Sequence, residues 1–219
     1  MVFVNFKTYE QGTGKNALAL VKILEAVAEG AKLKIIPVVQ AGDIKEVVAI
    51  SKLEVWAQTI DPVEFGAHTG AVLPEAVIED GAVGTFLNHS ERKFPNLESL
   101  KEAVERARMV GLKTLVFASN LDELAAISLF TPTFVAYEPA EFIGSTTVSV
   151  TSAQPEIILK AVEIARNHNL PLIVGAGIHC QEDVRKSLEL GASGIAVATD
   201  VVKAEDPKKE LLELVGGFQ

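Results

Sequence analysis

The sequence predicts an α/β chain folded as one closed (β/α)8 barrel, a single domain over residues 1–219. Three observations carry that expectation. Short runs rich in Val, Ile and Phe recur eight times, and they read as strands buried on both faces of a parallel sheet. Segments with the helical spacing of apolar residues separate them, which makes right-handed βαβ units. Eight such units in a chain of this length close a barrel, with a doubly wound open sheet as the rival arrangement. No composition shift or Ser/Pro-rich linker divides the chain.

In chain order the strand runs are VFVNF, KIIPVV, LEVWAQ, VGTFLN, TLVFAS, TFVAYE, PLIVGAG and GIAVAT. The second contains Pro37, which cannot donate to a ladder and is expected near a strand end. Helical spacing marks Gly14 to Glu29, Asp43 to Ser51, Asn96 to Met109, Pro155 to Asn167 and Gln181 to Leu190. Asp206-Pro207 reads as an N-cap followed by a first-turn proline. Gly111 and Gly191 follow helical segments, where a left-handed residue is expected.

Bulk properties narrow the function classes. Hydrophobic residues are 48% and charged residues 22% of the chain, enough for a sizeable core. No apolar stretch approaches the ~20 residues that cross a bilayer, so no membrane association is expected. MVFVNFKTYE has neither the basic start nor the long apolar segment of a secretory signal. One cysteine, Cys180, excludes an internal disulfide framework and fits a reducing cytoplasm. A net charge of −9 with no basic run argues against a nucleic acid partner. GTGK at Gly12 to Lys15 is too short for a nucleotide-binding loop. No metal or cofactor is expected.

A parallel barrel gathers its strand C-termini on one face, where active sites are built. The first run ends in Asn5 and Lys7, which share a side of an extended chain. The fourth delivers Asn88, His89, Ser90, Glu91 and Arg92. The sixth delivers Glu138, the seventh Gly175-Ala176-Gly177, and the eighth Ala198-Thr199-Asp200. Singly, each has an ordinary structural reading: a solvated lysine, a core histidine, a capping carboxylate, a turn. Their meeting on one face is what turns and caps do not explain.

These residues carry a resemblance. Asn5 to Lys7, GAHTGA at Gly66 to Ala71, NHSERK at Asn88 to Lys93, AYEP at Ala136 to Pro139, Ile143-Gly144 and GAGI at Gly175 to Ile178 are similar in order and spacing to the triosephosphate isomerase family. The likeness covers nearly the whole chain, whose shortness resembles the compact archaeal-type members. It implies a TIM barrel that interconverts dihydroxyacetone phosphate and glyceraldehyde 3-phosphate through an enediolate. Glu138 matches the family base, His89 the electrophile and Lys7 the cation, with Asn5 orienting the substrate. Glu91 and Ser90 match supporting positions behind these, although a first-turn carboxylate is an equal reading of Glu91. Ser90 to Arg92 are expected to start a helix whose N-terminus keeps His89 neutral.

The resemblance also assigns the phosphate to Ile143, Gly144, Gly177, Ala198 and Thr199. It makes the segment after Glu138 a lid, with Pro139 stiffening the hinge. GAHTGA, with His68 and Thr69, implies a loop that enters a neighbouring subunit, hence a homodimer or tetramer; a plain glycine-bounded turn is the structural alternative. Four departures stand out: Ser145-Thr146 in the sixth loop, Ala198-Thr199 in place of paired glycines, Asp200 immediately after, and Phe117 to Asn120 where the family commonly has a cysteine. A carboxylate repels phosphate, so Asp200 is expected to turn away. Another phosphosugar-barrel isomerase and a catalytically silent barrel are the competing functions.

Overall fold

The computed structural model describes residues 1–139 and 154–219. Eight parallel strands close a barrel in sequence order: β1 Val2–Asn5, β2 Ile35–Val39, β3 Trp56–Ala57, β4 Gly84–Leu87, β5 Lys113–Ala118, β6 Phe134–Tyr137, β7 Leu172–Val174 and β8 Gly194–Val197. Every predicted run supplies one strand. Val2 pairs with Ile35 of β2 and with Ile195 of β8, so no edge remains open and the doubly wound alternative falls away.

Alternation along the strands sorts side chains between two cores. Phe3, Ile36, Val38, Trp56, Phe86, Leu115, Phe117, Ala136, Ile173 and Ala196 fill the barrel interior. Val2, Val4, Ile35, Val39, Val116 and Val135 face the helices. Continuing the inward parity two residues past Phe3 and Ala136 reaches Asn5 and Glu138. The barrel thus aims those two polar groups at its own axis, where both are buried.

The lower interior is aromatic. The Phe3 ring meets Trp56 edge-on at 5.0 Å and Phe86 at 5.7 Å, and Phe86 meets Phe117 at 4.8 Å. Such edge contacts each add about 0.5–1.5 kcal/mol beyond area burial. Gly84 makes room for this packing: a Cβ there would sit 2.4 Å from the Trp56 ring.

Pro37 does not lie near a strand end; it is the central residue of β2. The carbonyls of Lys34 and Val38 accept from the N–H groups of Val2 and Phe6, whereas Val39 accepts from Gln58 on the other side. Odd-numbered β2 residues therefore face β3, and β3 begins only at Trp56, opposite Val38. The N–H that proline lacks has no ladder to join.

The helices lie outside the strands. The predicted segments form Lys15–Ala31, Ile44–Ile50, Leu97–Met109, Pro155–Asn167 and Gln181–Glu189. Asn96 caps Leu97–Met109 by accepting from the Ser99 N–H, and Asp206 caps Pro207–Gly216 by accepting from Lys209; such caps contribute about 1 kcal/mol each. Gly111 and Gly191 have φ of 88° and 104°, the left-handed geometry expected. Pro74–Glu79, Leu121–Ser128 and Thr199–Val202 are short helices beyond those the sequence marked, because so few turns show little periodicity. Among the described residues no helix is long and apolar enough to cross a membrane.

Candidate active site

The chain turns sharply where β1 leaves the barrel. Lys7 holds φ at 49°, a left-handed conformation that costs an L-residue about 1–2 kcal/mol. Two hydrogen bonds hold it there. The Lys7 N–H donates to Asn5 Oδ1 at 3.0 Å, and Gln58 Nε2 donates to the Lys7 carbonyl at 2.8 Å. Lys7 Nζ then donates to Glu91 Oε1 at 2.7 Å, with the lysine side chain mostly buried. Strain over-determined in this way is typical of functional positions.

A second left-handed residue ends β4. Asn88 has φ of 60° and is buried. Its amide donates to the Phe117 carbonyl at 2.9 Å and to Glu123 Oε1 at 2.7 Å, while its Oδ1 accepts from the Phe94 N–H at 3.1 Å. All of its bonds serve the backbone bend that presents His89.

His89 sits with its ring edge against Phe117, centroids 5.0 Å apart. The Glu91 N–H donates to His89 Nδ1 at 3.2 Å. Nδ1 is therefore the acceptor nitrogen and Nε2 carries the proton of the neutral ring. Burial pushes the His89 pKa down to about 4; the Glu91 charge opposes this, and Lys7 and Lys93 add to it. The expected helix at Ser90 is a turn closed by the Arg92 N–H on the His89 carbonyl at 2.8 Å, and the helix starts at Leu97. Burial with one backbone N–H, rather than a helix N-terminus, keeps the imidazole neutral.

Glu138 follows β6. Its N–H donates to the Ala118 carbonyl at 2.9 Å, and the neighbouring Tyr137 carbonyl accepts from Gly175 at 3.1 Å. The ladder thus fixes its backbone from both sides. Burial raises its pKa to about 7, opposed first by the Ser90 hydroxyl and then by the Lys7 charge. Desolvation disfavours the charged form of a carboxylate, and here it outweighs a nearby cation. Glu138 Oε2 and Ser90 Oγ are both buried without a hydrogen-bond partner in good geometry among the described residues. His89 Nε2 lies 3.9 Å from Glu138 Oε2.

One pocket brings together Asn5, Lys7, His89, Ser90 and Glu138 with Gly177, Ala198, Thr199 and Asp200. Ser90 therefore stands in the pocket wall itself rather than behind it. Glu91 lies in an adjoining cleft with Thr8, Gln58 and Arg92, where it holds Lys7 and positions His89 through its backbone. Ile143 and Gly144, like Ser145-Thr146, fall outside the described residues. His68 and Thr69 lie on an exposed segment, not in the pocket. Asp61 ties the base of that segment, accepting from the Val72 N–H at 2.7 Å and from Arg92 at 2.8 Å.

Sequence reasoning missed two groups. Tyr9 joins the first loop to the eighth through a 3.0 Å hydroxyl contact with Thr199, with Lys203 Nζ 5.4 Å above its ring. His179 lines the pocket too, and its Nδ1 lies 2.9 Å from Asp200 Oδ2. Asp200 thus lines the pocket with its carboxylate tied to another wall residue. Strand parity gave no signal for His179, because β7 ends at Val174 and Gly177 turns the chain at φ 64°.

A barrel that gathers a buried carboxylate, a neutral imidazole and a lysine over its strand C-termini has the equipment of an isomerase that moves a carbon-bound proton. Comparison with known proteins narrows the class. The triosephosphate isomerase family matches residues 1–216. The chain is 42% identical over 217 residues to the triosephosphate isomerase of Methanobacterium bryantii, covering 98% of this chain and 95% of that one. It is 41% identical to those of Archaeoglobus fulgidus, covering 99% and 97% of the two chains, and of Metallosphaera sedula, covering 99% and 95%. The chain belongs to the triosephosphate isomerase family.

Proposed function

We propose that this chain interconverts dihydroxyacetone phosphate and D-glyceraldehyde 3-phosphate, the step shared by glycolysis and gluconeogenesis, with Glu138, His89 and Lys7 as the catalytic residues. The observation that carries this reading is the pairing of Glu138, pushed up to about 7, with His89, pushed down to about 4, in one pocket beside Lys7. A carboxylate near neutrality is both substantially ionised at pH 7 and basic enough to take a proton.

Glu138 removes a proton from the carbon next to the carbonyl. The C–H electron pair forms the carbon–carbon double bond of the enediolate, and the carbonyl pair moves onto oxygen. That oxygen lies within reach of the Lys7 ammonium and the proton on His89 Nε2, donors already in place before charge develops. His89 exchanges a proton between the two oxygens, and Glu138 returns its proton to the neighbouring carbon. Asn5 orients the substrate beside Lys7. Glu91 holds Lys7 Nζ in position and fixes the His89 tautomer.

The phosphate belongs with the backbone N–H groups around Gly177, Ala198 and Thr199, and with Ile143 and Gly144 by family resemblance. By family resemblance the segment after Pro139, which lies outside the described residues, is the lid that excludes water from the enediolate. The exposed loop carrying His68 and Thr69 fits an interface between copies of this chain, as a dimer or tetramer. A cytoplasmic site of action agrees with the single cysteine.

A coupled assay with glyceraldehyde 3-phosphate, run on the parent and on Glu138→Gln, tests the reading. Strong activity that collapses in the variant is expected. Equal rates would remove Glu138 from the mechanism, and no activity in either protein would favour a silent barrel.

A further inference from the structure

An acidic residue in the wall of an anion site is a liability, and Asp200 lies there beside Ala198 and Thr199. Glu210, on the Pro207–Gly216 helix, is held above its usual range by burial and by the charges of Glu213 and Asp200. The acidic side chains near this wall therefore repel one another as well as any incoming anion.

His179 counters this. It follows β7, and its Nδ1 donates to Asp200 Oδ2 at 2.9 Å, so the pair links the seventh loop to the eighth. The His179 N–H donates to Asp183 Oδ2 at 3.0 Å, which anchors the residue to the start of the Gln181–Glu189 helix. The other ring nitrogen, Nε2, is buried without a hydrogen-bond partner among the described residues. The imidazole is thus fixed by one bond to a carboxylate and by its own backbone.

We propose that His179 is a positioning residue for substrate affinity: by donating to Asp200 it ties up a carboxylate that would otherwise repel the substrate phosphate. This rests on placing the phosphate at Gly177, Ala198 and Thr199. The proton-transferring residues lie at other strand ends, so the effect falls on binding rather than on chemistry.

A double-mutant cycle tests it, with the KM of glyceraldehyde 3-phosphate and the competitive inhibition constant of inorganic phosphate as readouts. His179→Ala leaves Asp200 unmasked, and both constants should rise on the order of tenfold, the scale of one poorly screened like charge near the site. Asp200→Ala in the same chain should restore both to within about threefold of the parent, although two contacts rather than one have then been removed. His179→Asn, which can still donate to Asp200, should fall between parent and His179→Ala. A merely structural histidine would give additive losses and no rescue; that result, or an unchanged KM in His179→Ala, overturns the proposal. If the parent isomerises the substrate but inorganic phosphate does not compete with it, the placement of the phosphate fails instead, and the pairing with it.

Discussion

The two groups of residues that share the pocket are built differently. The proposed proton-transfer group, Lys7, His89 and Glu138, consists of side chains on three strand ends. Each is fixed by bonds within the protein: Asn5 and Gln58 on the Lys7 turn, Asn88 beneath His89, and the β5 and β7 ladders around Glu138. The group proposed to hold the phosphate, Gly177, Ala198 and Thr199, offers backbone and small side chains, tied across loops by Tyr9–Thr199 and His179–Asp200. Side-chain chemistry leaves little freedom in residue type, whereas backbone donors tolerate a change of side chain. That difference explains why Ala198-Thr199 can stand where the family pattern has paired glycines.

If the contrast is right, substitutions in the first group should lower turnover and those in the second should raise KM. The largest effect is expected from Glu138→Gln, which should cost ~10²–10⁴-fold or more in kcat because the general base is lost. A variant that instead changed only KM would break the contrast at its strongest point. Lys7→Met should follow, with kcat down by ~10²–10³-fold, the usual cost of removing one donor to a developing oxyanion. Steady-state kinetics on both variants decide this.

The same carboxylate gives a stability prediction. The folded pKa of Glu138, about 7, lies above its ordinary value of 4.5. Its contribution to stability is full below pH 4.5 and is lost as pH rises to about 7. Glu138→Gln never ionises, so relative to the parent it should gain on the order of 3 kcal/mol between pH 4.5 and pH 8. His89 runs the other way: its lowered pKa gives stability present above 6.5 and lost as pH falls toward 4. With its pKa pushed down to about 4 it is mostly neutral at both pH 4.5 and pH 8, so it adds little to the difference. Denaturant melts of the two proteins at both pH values measure the gain, and a constant difference would show that burial does not shift Glu138.

The smallest effect is expected in the second group. Gly177 has φ of 64°, where a side chain costs about 1–2 kcal/mol. Gly177→Ala should raise KM several-fold with kcat nearly unchanged. A larger loss in kcat than in KM would mean that the two groups are not separable in the way their construction implies.

The strands were legible because eight buried runs carry a strong local signal, and their parity already aimed Asn5 and Glu138 at one axis, whereas Lys7 reaches the site through a left-handed turn rather than the extended chain expected. Legibility failed where long-range geometry decides. The segment after His89 has helix-compatible residues, yet the Asn88 bonds to Phe117, Glu123 and Phe94 hold it as a turn. Pro37 reads as a strand breaker, yet β3 is too short to need its N–H. Ser90 looked like a supporting residue and stands in the wall.

By itself the sequence determined the barrel, the residue types at its strand ends and the family, because periodicity and motif order are properties of the chain read locally. Only the tertiary structure decided the charge states and pairings. The shifts of Glu138 and His89 come from burial among groups far apart in sequence, and Asp200 meets His179 only when the seventh and eighth strands lie side by side. Electrostatic energy depends on distance and solvent exposure, and neither exists until the barrel closes.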